Sequence, residues 1–144
     1  MKLLKLRVQN FRSHSDFVLE IGDKSTLISG RNGSGKTSLI EAIYILLQGT
    51  SFRSSDKEIL KNDGSDWFRV DLKMVSGEIR TIKFESKNGK HKKTFEIDNK
   101  KISRLPGNSK IPVVLFEPDD LQLLSGSPSR RRDFMDHFLT QVFP

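Results

Sequence analysis

The residues most able to do chemistry run from Gly30 to Thr37 and read "GRNGSGKT". Gly30, Gly35, Lys36 and Thr37 stand at the spacing G-x-x-x-x-G-K-[ST], with Arg31, Asn32, Gly33 and Ser34 between them. Each residue type answers to a polyphosphate. The glycines let the backbone bend so that several N–H groups converge on phosphate oxygens. A helix starting at Lys36 turns its positive N-terminal end toward the same anion. Lys36 adds a mobile charge for β- and γ-phosphates, and the Thr37 hydroxyl is a ligand for Mg²⁺. Ser38 continues the loop. The plainer alternative is a glycine turn joining strand to helix. A lysine directly after the last glycine favours the phosphate loop, and so do the flanking elements. Asn32-Gly33-Ser34 also matches a glycosylation acceptor, which is a coincidence inside such a loop.

The elements that must hold this loop are legible around it. "KLLKLRVQNF" alternates as a strand with Leu4, Leu6 and Val8 on one face, and "DFVLEI" is a second short strand. "STLISG" reads as a third strand, apolar and buried, running into the glycines. "KTSLIEAIYILLQG" reads as a helix with Leu39, Ala42, Ile43, Leu46 and Leu47 on its apolar face and Gly49 as its stop. The period then changes. "WFRVDLKMV" alternates through Val70, Leu72 and Met74, Ser76–Gly77 turns the chain, and "EIRTIKFES" alternates through Ile82 and Phe84. Asn88–Gly89 marks a tight hairpin, because both central residues of that turn need positive φ. "KKTFEID" returns. This block is an antiparallel meander, not a βαβ crossover. "IPVVLFEP" reads as one more core strand. "SPSRRRDFMDHFLTQVF" starts a helix, with Ser127 as N-cap and Pro128 in its first turn.

The bulk properties narrow the class. A chain of 144 residues with 35% apolar content fits one folded domain. It has no apolar run long enough to span a membrane and no signal-peptide core. Cysteine is absent, which excludes disulfides and thiolate metal sites and suits a cytosolic protein. A net charge of +7 fits either an anionic partner such as nucleic acid or a solvated basic surface.

A nucleotide hydrolase also needs an acidic strand end for its metal and a group to position water. Val113–Glu117, "VVLFE", resembles such a Walker B strand, but Pro118 follows and the acid is Glu, so a core strand is the preferred reading. "LSGS", Leu124–Ser127, resembles the start of an ABC signature but stands on the wrong side of that strand. "NKKI" at Asn99–Ile102 lacks the Asp that guanine recognition requires.

The order of these features resembles the RecF family of bacterial recombination-repair ATPases, in the ABC/SMC-like class. "LRVQNFRSH", the phosphate loop, "SFRS" after its helix, the meander and "PDDLQLLSGSPSRRRDFMD" carry the resemblance over the whole chain. It implies an α/β P-loop NTPase of the ABC/SMC-like head type: a first lobe with an antiparallel β-meander, incomplete. Residues 1–126 would form the N-terminal lobe, and 127–144 the start of a truncated helical arm. Walker B, signature and D-loop would lie beyond Pro144, so hydrolysis by these residues alone is not expected. The resemblance further implies ATP and Mg²⁺ as cofactors and a homodimer formed on ATP by the full-length protein. It implies binding at junctions of single- and double-stranded DNA, RecO and RecR as partners in recombinase loading, a role in the DNA-damage (SOS) response, and a cytoplasmic, nucleoid-associated location. Carried over by position, Gly30 to Ser38 bind nucleotide and Arg12 reaches toward it. The metal-sensing Q-loop falls near "EPDDLQ", where Gln122 is the glutamine.

Three basic groups are candidates for DNA: Arg53, the hairpin residues Lys90, Lys92 and Lys93, and Arg130 and Arg131 with Arg132. Cations in a helix's first turn oppose its dipole, which points to an anionic partner; Arg132 can instead pair with Asp136 one turn on. Rival functions stay open, another SMC-like repair ATPase head among them. One is a DNA-binding or dimerisation module that uses ATP as a clamp without turnover. Another is a small P-loop kinase, which the meander disfavours.

Overall fold

Alternating apolar residues build a single antiparallel sheet in the computed structural model, which describes residues 2–54, 60–121 and 127–142. β1 (Leu3–Phe11) and β2 (His14–Glu20) form a hairpin. β3 (Trp67–Met74), β4 (Ile79–Lys87), β5 (Lys90–Ile97) and β6 (Lys100–Ile102) form the meander. The order across the sheet is β2-β1-β3-β4-β5-β6. Asn88 (φ 51°) and Gly89 (φ 70°) turn β4 into β5 as their residue types require. Asp98 (φ 48°) and Asn99 (φ 64°) make a second such turn into β6, a strand the sequence reading passed over.

Register brings Val8 opposite Val70, Val70 opposite Ile82, and Ile82 opposite Phe95. Leu6, Leu72, Phe68 and Phe84 join them on one fully buried face. Phe68 stacks on Phe84 and meets Phe11 edge-on, each pair with centroids 5.4 Å apart. Burial of each such side chain stabilises the fold by roughly 1.5–3 kcal/mol. Leu4 departs from the expected face and is exposed, because the β1–β3 register shifts between Leu3 and Lys5.

Helix α1 (Lys36–Gln48) covers the buried face, against β1, β3 and β4. Its burial is wider than one stripe: Tyr44 and Ile45 are as enclosed as Leu39 and Ala42, and Ile43 is only half-buried. Gly49 ends it in the left-handed conformation (φ 85°), donating to the Ile45 carbonyl at 2.8 Å. Two cations from the sheet reach the same end. Lys93 Nζ donates to Gly49 O at 3.0 Å, and Arg80 Nη1 to Leu46 O at 3.3 Å. They complement the negative pole of a helix that has no basic residue in its own last turn. The opposite face of the sheet is charged, with Arg7–Asp16 and Arg69–Asp71 pairs at 2.8 Å and Lys83–Glu96 at 2.9 Å.

Two expected strands are not strands. Ser25–Gly30 carries no strand ladder, and Leu27 is 89% exposed. The Thr26 hydroxyl accepts the Gly22 N–H at 2.9 Å, so the chain is bent where the strand should begin. Ile111–Glu117 does not form a strand, and Val114 and Phe116 are 71% and 66% exposed. Alternation there is genuine, but a core strand needs ladder partners and a covering layer as well.

The chain divides into two compact units, Met1–Leu105 and Pro106–Pro144. The first holds the sheet and α1. The second holds short 3₁₀ turns at Gly107–Ser109 and Pro118–Leu121, and the helix α2 (Pro128–Val142), which starts at the proline as expected. No described helix is long and apolar enough to cross a membrane.

Candidate functional site

The phosphate loop bends where its glycines allow. Gly33 (φ 80°) and Gly35 (φ 86°) are left-handed, and Gly35 is the residue from which α1 starts. A side chain at Gly35 would also meet Ser13 Oγ and His14 Nε2, each 2.4 Å from an ideal Cβ. That close approach arises because the β1–β2 turn lies against the N-terminal end of α1, where His14 Nε2 contacts Gly35 O at 3.1 Å. Lys36 folds back on its own loop. Its Nζ donates to Gly30 O and Arg31 O, both at 2.8 Å.

A groove of about 690 Å³ opens at this point. Asn32, Gly33, Gly35, Lys36, Thr37 and Ser38 form one wall, while Arg12, Arg53 and Lys61 face them from other segments. Among its described lining residues the cations Arg12, Lys36, Arg53 and Lys61 stand against one carboxylate, Asp63. The helix N-terminus adds its partial positive charge. The donor set suits a polyphosphate: backbone amides at a helix start, two lysines and two arginines. A magnesium ion would be held mostly by phosphate oxygens and water, with the Thr37 hydroxyl as the protein's ligand.

Arg12 is fixed from both sides. Its backbone sits at φ 54°, pinned by Arg12 N to Leu60 O and by Asn62 Nδ2 to Arg12 O, at 2.8 and 2.7 Å. Its guanidinium grips Glu41 through Nε at 3.0 Å and Nη2 at 2.8 Å. Glu41 is fully buried, receives the Ser51 hydroxyl as well, and lies 3.6 Å from Arg53 Nη1. One carboxylate on α1 thus orients two arginines toward the groove. The sequence reading missed Glu41. Its signal was a lone acid inside the apolar run "SLIEAIYILL".

The remaining candidates scatter. Arg53 faces the phosphate groove. Phe52 packs edge-on against Tyr44, with centroids 5.3 Å apart. Lys90 and Lys92 are exposed at the hairpin tip, but Lys93 does not share their face: it turns inward and binds the end of α1. Arg131 and Arg132 are exposed in the first turns of α2; Arg130 lies on the same helix, with its side chain outside the described residues. Gln122 and most of "LSGS" also lie outside the described residues. Glu117, the acid of the less favoured Walker B alternative, donates its backbone N–H to Asp120 Oδ2 at 2.7 Å.

The AAA domain family matches residues 5–133. The DNA replication and repair protein RecF of Bacillus cytotoxicus is 36% identical over 147 residues, spanning 100% of this chain and 39% of the relative. RecF of Clostridioides difficile is 36% identical over 152 residues with the same shares. A solved structure described as the recombination mediator protein RecF-ATPrS in the RecFOR pathway superposes with TM-score 0.77 at 29% identity, over 97% of this chain and 38% of that one. A second, described as RecF-ATP, gives 0.69 at 30% identity, over 94% and 37%. The chain spans about two fifths of the length of these relatives.

Proposed function

The chain belongs to the AAA domain family and is RecF-like along its whole length, and from that premise we propose that it is the ATP-binding lobe of a DNA-repair ATPase head. The observation that carries the reading is the groove at the start of α1. It joins a G-x-x-x-x-G-K-T loop, a helix N-terminus, Lys36 and the Glu41-held Arg12 around one space. Gly30 to Ser38 hold the phosphates, Thr37 ligates Mg²⁺, and Lys36 exchanges its two carbonyl partners for phosphate oxygens. ATP supplies the polyphosphate charge that this set neutralises. The relatives described with ATP and ATPrS support the choice of nucleotide.

The finer reading follows the same relatives. A longer protein of this type dimerises on ATP, binds gapped DNA, works with RecO and RecR in recombinase loading, and turns ATP over slowly. It acts in the cytoplasm at the nucleoid. Residues 1–126 serve as the lobe and 127–144 begin an arm. The net charge of +7 supports a polyanionic partner.

Calorimetric titration of Mg-ATP and Mg-GTP tests the nucleotide site. ATP is expected to bind more tightly than GTP, and Lys36→Ala to weaken ATP roughly a hundredfold, as for loss of a charge-assisted contact. Equal heats from the parent and Lys36→Ala chains would remove the reading.

A further inference from the structure

The chain's single tryptophan, Trp67, is not in the core. It is 43% exposed at the start of β3, on the charged face of the sheet that α1 leaves uncovered. Register sets its surroundings. Trp67 lies opposite Glu85, and Glu85 opposite Lys92, so the three form one row across β3, β4 and β5. In the next row toward the hairpin tip Lys87 faces Lys90, about 7 Å further along the strand. A groove of about 500 Å³ runs beside the indole, with Arg69, Lys83 and Lys87 among its lining cations and Asp66 and Glu85 as its acids.

Two features of this patch call for a ligand. Arg69 and Lys83 already have carboxylate partners in Asp71 and Glu96, so they belong to the sheet's own network. Lys87 and Lys90 form a like-charge pair directly across the strands, which repels unless an anion lies between them. The second feature is the indole itself, a broad π-face held at the edge of that positive tip. An indole flanked by lysines offers a stacking surface and phosphate contacts together.

We propose that the outer face of β3, β4 and β5 binds single-stranded nucleic acid, with an unpaired base stacked on Trp67 and adjacent phosphates met by Lys87, Lys90 and Lys92. The inference rests on the DNA-binding reading above and assigns the part of the DNA that this face takes. A duplex could meet the lysines, but its bases are stacked on one another and leave the indole unused. The face therefore reads the unpaired arm of a junction.

The single tryptophan makes the test direct. The full chain is titrated with a short oligothymidylate and with a blunt duplex, following indole fluorescence and, in parallel, the anisotropy of labelled DNA. Saturable quenching by oligothymidylate, with little by duplex, is expected. Trp67→Ala should weaken oligothymidylate roughly tenfold while Trp67→Phe retains most of the affinity. Lys90→Ala and Lys92→Ala should each lower the salt slope by about 0.7. Anisotropy that reports binding while the indole stays unquenched and Trp67→Ala binds normally would overturn the proposal and leave DNA binding intact. Equal quenching by duplex would overturn the single-strand assignment. No anisotropy change with either DNA would remove the DNA-binding reading itself.

Discussion

The phosphate groove and the outer face of the sheet are both basic, yet they hold their charges differently. In the groove, Lys36 rests on two backbone carbonyls and Arg12 on a fully buried carboxylate. On the outer face, Arg7 and Arg69 are bound to acids that water also reaches, and Lys87 faces another lysine. The fold fixes Arg12 beside its carboxylate, whereas at the tip of the sheet it sets two like charges opposite each other. Preorganised charges give affinity because little ordering is left to do, whereas exposed lysines contribute through counterion release. Positive composition alone would not have separated the two.

Breaking Glu41 should separate them most sharply. Glu41→Ala leaves Arg12 and Arg53 without their shared partner, at a cost of about 3 kcal/mol, discounted for the partial exposure of the arginines. Urea denaturation should show that loss, and ATP affinity should fall with it while oligothymidylate affinity is unchanged. A smaller effect is expected at the far end of α1. Lys93→Ala removes a cation from the helix C-terminus and should cost about 1 kcal/mol, with no change in the salt slope of DNA binding. That outcome would separate Lys93 from Lys90 and Lys92, which the sequence reading grouped together.

The smallest effect belongs to the exposed pair on the outer face. The Arg7 guanidinium, hydrogen-bonded to Asp16, holds that carboxyl below its ordinary range. A depressed folded-state value stabilises the protein above the unfolded value and loses that contribution as pH falls through the folded one. The stability difference between the parent and Asp16→Asn should therefore be flat above about pH 5 and close below about pH 4. A difference that widened on acidification would reverse the assignment.

Much of the fold was legible because its signals are local. The glycine spacing, the Asn88–Gly89 turn and the alternation through Val70 and Leu72 each specify structure within a few residues. What was not legible depends on partners far along the chain. Ser25–Gly30 and Ile111–Glu117 have strand-like composition, but composition does not say which segment will pair with them. Arg80 sits 3% exposed on the inner face because the end of α1 receives its guanidinium, a contact 34 residues away in sequence. Glu41 looked like an interruption in an apolar helix and proved to be the anchor of the groove. The loop's glycine and lysine spacing is visible in the sequence; the side chains that line the groove with it come from the β1–β2 turn and the segment after α1, and only the fold brings them together.

On the proposed function, nucleotide is held by the loop from Gly30 to Ser38 and not by the basic hairpin. Backbone amide resonances followed during a Mg-ATP titration test this residue by residue. Saturable shifts are expected at Gly33, Gly35, Lys36 and Thr37, with Lys90 and Lys92 unmoved. Shifts confined to the hairpin, with the loop silent, would contradict it.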